Sequence, residues 1–285
     1  MIDILIGGAI LGAIFSLIAA GLNLQYGVTR ILNIAHGEFL MLGAYTTYIC
    51  FTFYFITPLF SLPISGVIIF LLGILIQILV FRRLVYLSKT SEELEFRSLL
   101  ASFGLVFILQ NAALLIFGAT PLGYSWATLP VIIFGYYFQL NMIIAAVTGM
   151  IIIIGVFLFL RFTRFGLAMR ATAEEPTGAK LVGINIDRMH ALSFGLGVCL
   201  AALAGSLLSM IYFSHPFMGT SYTFIALVII IMGGIGSFLG SVVGGFVMGY
   251  IYYITLTVDA LLAMAVVYIF LIIILLIRPK GFFGR

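Results

Sequence analysis

Residues Ile4 to Val28, ILIGGAILGAIFSLIAAGLNLQYGV, contain no charged side chain. A run of that length exceeds the about 20 apolar residues an α-helix needs to cross a bilayer. It also exceeds a signal-peptide core, follows Asp3 where a signal peptide has a basic region, and leads into further apolar sequence. It is therefore expected to stay in the mature protein as the first span. Arg30 closes it. Outward from there, all 13 Lys and Arg residues fall into four short polar stretches: around Arg30, Arg82 to Arg97, Arg161 to Arg188, and Arg278 to Arg285. With these on one face, the opposite loops at 57–62, 119–139 and 213–221 contain no Lys or Arg at all. The positive-inside rule then sets the N-terminus outside and the C-terminus in the cytoplasm.

Composition agrees. The chain is 64% hydrophobic and 8% charged, with mean hydropathy +1.31, far from the about 25% charged residues of soluble domains. Its 285 residues allow about eight to ten spans with short connections and no separate soluble domain. The net charge of +4 comes from basic residues scattered among Glu92, Glu93, Glu95, Glu174 and Glu175, which fits cytoplasmic loops beside anionic lipid and not a nucleic-acid surface. Cys50 and Cys199 lie in apolar runs without a CxxC spacing and read as buried small residues.

Alternating apolar runs with the basic stretches predicts spans near 4–28, 36–57, 62–82, 97–118, 141–160 and 191–213. The region 221–277 must then cross an odd number of times. A break at Gly233-Gly234-Ile235-Gly236-Ser237 divides it into a short apolar piece, a second piece to about Thr255, and a last span from Leu261. The expected fold is an all-α polytopic integral membrane protein of about eight or nine transmembrane segments with interrupted helices. The short piece is either a span or a re-entrant segment.

Two interruptions stand out. Consecutive glycines at Gly233, Gly234 and Gly236 break a helix, and the freed backbone is tolerated only against protein or a polar cavity. Gly240, Gly244, Gly245 and Gly249 continue the pattern at intervals that let helices approach closely in lipid. Earlier, Asn33-Ile34-Ala35-His36-Gly37-Glu38 sets three polar side chains beside apolar runs. Ionisable groups at membrane depth mark a pathway, whereas near Arg30 the same residues would merely cap the second helix at the cytoplasmic surface. The candidates for a translocation path are thus Asn33, His36, Gly37, Glu38, Gly233, Gly234, Gly236 and Ser237, together with Gln110 and Asn111 on the fourth span.

The stretch Arg161 to Arg188, within a cytoplasmic loop over 161–190, is the longest polar segment. Pro176 fits a first helical position, Glu174 and Glu175 complement the positive end of the dipole, and Gly183 fits the terminating position. A helix of about two turns, roughly 10 Å long, follows. It is too short to be stable alone and needs a packing partner. Thr177-Gly178-Ala179 and Gly183 offer a low-relief surface for another protein's groove or for the chain's own transmembrane helices.

Thr177-Gly178-Ala179-Lys180-Leu181-Val182-Gly183 resembles the EAA loop of ABC importer permeases. The flanking segments Gly166 to Ala173 and Gly183 to Arg188 are similar to the LivH-type permease of branched-chain amino acid importers. So are Asn23 to Val28, Leu32 to Tyr45, Ala101 to Leu105 with Leu109-Gln110-Asn111, Gly233 to Ser237, and Arg278 to Gly284. Thr177 and Gly178 depart from the family's usual Glu and Ala, which leaves shape as the basis for docking.

The resemblance implies that the chain is one permease, a single transmembrane domain over 1–285 with its coupling loop at 161–190. It implies a path for branched-chain aliphatic amino acids across the cell membrane. The implied partners are a second, homologous or identical permease subunit, two cytoplasmic ATPase subunits, and an extracytoplasmic solute-binding protein. The ATPases would dock on Pro176, Thr177, Gly178, Ala179 and Gly183. ATP and magnesium would be used by those partners and no cofactor by this chain, which is not expected to be an enzyme. No G-x-x-x-x-G-K-[ST] occurs in it. His190 and His215 lie at opposite ends of one predicted span, about 37 Å apart, and His36 and Glu38 face different ways on a helix, so neither a metal site nor a catalytic cluster assembles. The alternatives are a permease for urea or short-chain amides, or an autonomous secondary transporter, for which Glu38 is the sole carboxylate within the spans.

Overall fold

The computed structural model describes residues 2–277 and 281–282. The basic residues Arg278, Lys280 and Arg285, with most of the C-terminal family-like motif, lie outside the described residues.

Among the described residues, twelve α-helices and one hairpin follow in order: α1 (Ile2–Thr29), α2 (His36–Tyr54), α3 (Pro58–Ile76), α4 (Arg82–Leu87), α5 (Ser91–Phe117), β1 (Pro130–Ile133), β2 (Tyr136–Gln139), α6 (Leu140–Phe162), α7 (Arg164–Glu174), α8 (Pro176–Leu181), α9 (Ile186–Leu208), α10 (Met218–Gly233), α11 (Phe238–Val258) and α12 (Ala263–Ile277). A π-type stretch, Gln77–Phe81, joins α3 to α4 without a break. Among the described residues, seven helical segments are long and apolar enough to cross a membrane: α1, α3 through α4, α5, α6, α9, α11, and α12 with the short turn before it. The 16-residue α10 is the short apolar piece expected before the glycine break. At 19 residues α2 is long enough, but His36, Glu38 and its threonines and tyrosines dilute its hydropathy, and it is packed inside the bundle instead of facing lipid.

Several expected boundaries move; the sixth span runs over Ile186–Leu208 instead of 191–213, with the Asn185 side chain accepting from Arg188 N as its cap. The third span begins at Pro58 and runs to Leu87, beyond the predicted 62–82, because Pro58 occupies the first helical position and the π stretch absorbs the join. The fourth begins at Ser91 instead of 97, because the Thr90 hydroxyl accepts a hydrogen bond from Glu93 N and caps it. The predicted loop at 119–139 contains the antiparallel hairpin, with Ile133 opposite Tyr136. Phe134 and Gly135 both adopt positive φ between the strands, as a tight primed turn requires.

The helices α1 and α9 form the centre, most of each being buried. On α1 pack α11, α9, α6 and α10; on α9 pack α2 and α3 as well. Water exclusion does not hold helices together in lipid, so the contacts rest on close backbone approach. A side chain at Gly249 would strike Gly12 of α1, and one at Gly205 would strike the Leu40 carbonyl of α2. By contrast α5, α6 and α12 leave most of their surface outside the chain.

Candidate functional site

The chain leaves α1 through Arg30, exposed and in the left-handed region. It then turns back into the bundle. His36 is fully buried, with Nε2 3.1 Å from the Ile18 carbonyl of α1. Ile18 lies twelve residues (30 − 18) before Arg30, so at 1.5 Å per residue the His36 ring touches α1 about 18 Å back from Arg30, and the segment 31–35 runs back along that helix. A surface cap for α2 is therefore set aside: α2 starts inside the protein.

An extended segment can run there only if its backbone groups find partners. Ser98 and Ser102, one turn apart on α5, supply them. Ser98 Oγ accepts from Leu32 N and Ser102 Oγ from Ile34 N, both at 3.2 Å. Thr223 Oγ1 on α10 donates to the Ile34 carbonyl at 3.0 Å and accepts from Gly37 N at 2.8 Å. Asn33 Oδ1 accepts from Ala35 N at 3.1 Å, tightening the turn into α2, while its Nδ2 lies 3.4 Å from Gln25 Oε1. Gly37 and Gly219 bring α2 and α10 into backbone contact, with no room for a Cβ on either.

At the next residue, Glu38 Oε1 accepts from Gln110 Nε2 at 3.0 Å and from Thr220 Oγ1 at 3.2 Å, and Gln110 Nε2 is also 2.9 Å from Thr220 Oγ1. This cluster joins α2, α5 and α10. Glu38 Oε2 is buried without a partner, and no cation contacts the carboxylate among the described residues. His36 turns toward α1 and Glu38 toward α5 and α10, the divergence that two residues' separation on a helix dictates. Asn111 is exposed on the outer face of α5 and donates only to its own helix, to Phe107 O at 2.8 Å.

The glycine break sits elsewhere. Thr220 and Gly233 are thirteen residues apart on α10 (233 − 220), about 20 Å. Gly233 packs on Gly240, while Gly234 and Gly236 take positive φ between α10 and α11. Asn23 of α1 pins the joint: its Nδ2 donates to Ser237 O at 2.8 Å and to Ser241 Oγ, and its Oδ1 accepts from Gly236 N. Phe282 N donates to Met232 O at 2.7 Å and closes the joint from the C-terminal side. The expectation that the two breaks flank one path with Gln110 and Asn111 is corrected to this extent: Glu38 and Gln110 are brought together, and Gly233, Gly234, Gly236 and Ser237 are not brought to them. Sequence reasoning missed Thr220, Thr223, Ser98, Ser102 and Asn23. Each is a small polar residue whose spacing in its own helix carries no signal of the partner it reaches.

In the polar loop, α8 spans Pro176–Leu181 with Pro176 in the first turn, and the Glu175 carboxylate caps it by accepting from Thr177 N at 3.1 Å. Gly183 ends it at φ +86°. Its N–H reaches Lys180 O at 3.1 Å, and Ile184 N reaches Ala179 O at 3.0 Å, the paired bonds of a Schellman terminus. The expected surface is corrected in one respect: Ala179 is 4% exposed and faces the protein, whereas Leu181 and Val182 at the tip are 84% and 76% exposed. Ahead of α8 lies a second helix, α7, that the loop reading did not contain. It begins at Thr163, whose hydroxyl accepts from Gly166 N at 3.0 Å.

A helical bundle whose segments are long enough to cross a bilayer, with a buried polar cluster and a short capped helix outside it, is that of a multi-pass membrane protein. The chain belongs to the family of permease components of branched-chain amino acid transport systems, whose sequence profile matches residues 4–277. It is 29% identical over 298 residues to the high-affinity branched-chain amino acid transport system permease protein LivH of Escherichia coli strain K12, covering 98% of this chain and 94% of that one. To BraD of Pseudomonas aeruginosa, of the same description, it is 30% identical over 303 residues, covering 99% and 95%. To the probable LivH of Methanocaldococcus jannaschii it is 29% identical over 249 residues, covering 86% and 78%. No solved structure matches the chain.

Proposed function

We infer that this chain is the permease subunit of an ATP-driven importer in the cell membrane and forms part of the path for branched-chain aliphatic amino acids. A second permease completes the path. Two cytoplasmic ATPases dock on the α8 loops, and an external solute-binding protein delivers the substrate. The observation that carries this reading is α8 itself. In a chain of this family, a helix of about 9 Å ends on Leu181 and Val182, two large apolar side chains with almost no cover from their own protein. Such side chains at a tip fit a groove in a partner. Pro176, Thr177 and the Gly183 terminus hold them there, and Ala179 anchors the helix from beneath.

The path is assigned to the outer face of α5. Asn111 is exposed there, and a Cβ added at Gly104 would meet nothing. An amide facing hydrocarbon costs several kcal/mol, so this face is covered by water or by a second permease. The Glu38, Gln110 and Thr220 cluster lies just behind it. The testing experiment is uptake into vesicles carrying the complete complex. Labelled leucine is expected to accumulate only with ATP. Uptake of urea in its place would reassign the substrate, and ATP-independent uptake would make the chain an autonomous carrier.

Two further outcomes follow. Cysteines replacing Ser125 and Lys180 are expected to react with impermeant reagents from opposite sides of the membrane; labelling from one side would refute the topology. The double variant Leu181→Asp, Val182→Asp is expected to insert normally yet lose most substrate-stimulated ATPase activity in the complex. Each charge placed in an apolar groove costs several kcal/mol. Wild-type stimulation would remove α8 from the docking assignment.

A further inference from the structure

A cavity of about 540 Å³ opens at the end of the bundle that carries the basic loops, between α1, α6, α7 and α11. Its apolar wall includes Val28, Phe157, Leu160 and Phe238, and the exposed Arg161 and Arg170 share its lining. Glu174 shares the lining, so two guanidinium groups face one carboxylate and the site is net positive. The ion pairs among the described residues, Arg82 with Asp187 and Arg97 with Glu93, involve neither arginine. Arg161 is held over the rings of Phe157 and Phe162, at 5.9 and 5.7 Å from their centroids. Arg170 reaches back to the Arg161 carbonyl at 3.4 Å. Arg161 is thus held in the last turn of the membrane-crossing α6, with Arg170 of α7 drawn back onto that turn.

The helix α7 explains the position. It buries Gly166, Met169 and Thr172 on one face against the bundle and exposes Phe165 and Leu167 beside Arg164 and Arg170. Large apolar and basic side chains exposed together on a short helix directly after a span belong at the membrane–water boundary. Next to the cavity, the flank of α6 exposes Ile151, Ile154 and Leu158 in a continuous apolar strip.

We propose that this cavity seats the headgroup of an anionic phospholipid, with Arg161 and Arg170 on its phosphate and its acyl chains along the α6 strip. Charge complementarity selects the anion, since basic pockets between transmembrane helices at the cytoplasmic boundary suit such headgroups. The lipid source, in preference to a free anion, follows from the apolar wall and from the strip that leads away from it. Occupied in this way, the lipid bridges α6 and α7 immediately before the α8 loop.

The test uses the full permease, delipidated in neutral detergent and then mixed with phosphatidylglycerol, phosphatidylcholine or inorganic phosphate. Retained lipid is measured by native mass spectrometry and stability by thermal unfolding. Phosphatidylglycerol is expected to be retained and to raise the Tm, phosphatidylcholine and phosphate to do neither. The double variant Arg161→Gln, Arg170→Gln is expected to bind it about 25-fold more weakly, roughly fivefold for each cation removed. Arg161→Lys, Arg170→Lys keeps most of the binding, and Arg83→Gln, Arg188→Gln is a control that leaves it unchanged. Equal retention of phosphatidylcholine by the wild type, undiminished retention in the glutamine variant, or full stabilisation by phosphate alone would each overturn the proposal. The wild-type comparison of lipids decides the matter even where a variant fails to fold.

Discussion

Glu38→Gln is expected to leave the protein folded and inserted while lowering leucine uptake by the assembled complex about tenfold, a loss equivalent to about 1.4 kcal/mol. The substitution keeps the shape of the cluster. A glutamine carbonyl still accepts from Gln110 and Thr220, which now hold Glu38 Oε1 at 3.0 and 3.2 Å. What it removes is the ionisable oxygen, Oε2, which is buried without a partner. If the cluster only ties α2 to α5 and α10, the variant transports at the wild-type rate and the path assignment falls. Glu38→Ala serves as the reference for the structural contribution. It strands the buried Gln110 donor at about 1–3 kcal/mol, leaves the half-buried Thr220 hydroxyl without this acceptor, and is expected to lower the Tm as well as uptake.

Gly205→Val is expected to cost about 3 kcal/mol or more, because the centre of the bundle cannot absorb it. A Cβ at Gly205 would strike backbone, the Leu40 carbonyl of α2, and backbone cannot swing aside as a side chain can. The helix pair α2 and α9 would have to separate, and with it the placement of His36 and Glu38. The check is thermal unfolding of the purified permease beside Gly104→Ala, a change on the open face of α5 where nothing lies near the new methyl group. That variant is expected to be neutral or more stable by about 1 kcal/mol, the helix preference of alanine over glycine. Equal loss in both variants would mean that close approach at Gly205 is not what holds α2 on α9.

The two predictions differ in how far they were legible beforehand. Glu38 stood out in the sequence as the sole carboxylate inside a span, because a charge in an apolar run is conspicuous against its neighbours. Gln110 was visible as an amide in an apolar run. That they meet, and that Thr220 completes the cluster, was not, since the meeting depends on α10 and α5 converging on the start of α2. Gly205 carried no mark at all. The glycines singled out around 233–249 do pack closely, Gly245 on Ser16 and Gly249 on Gly12, but so do Gly43 and Gly205, whose spacing attracted no notice.

The membrane spans were readable because the bilayer imposes one rule on every stretch that crosses it: about 20 apolar residues with all backbone groups satisfied within the helix. The ends of α8 were readable because capping is a transaction between residues at most five apart, Glu175 with Thr177 at one end and Gly183 and Ile184 with the last turn at the other. Those features belong to the sequence alone. Tertiary structure decided the rest: that Ala179 faces in and Leu181 faces out, that residues 31–35 climb back beside α1, and that Asn23 claims the glycine joint 20 Å from Glu38. Each of these turns on which polar group reaches a particular backbone atom of another element, or on which side of a two-turn helix meets the body of the protein. No local pattern records that choice, because the same serine, asparagine or alanine is equally at home in a helix whichever neighbour it meets.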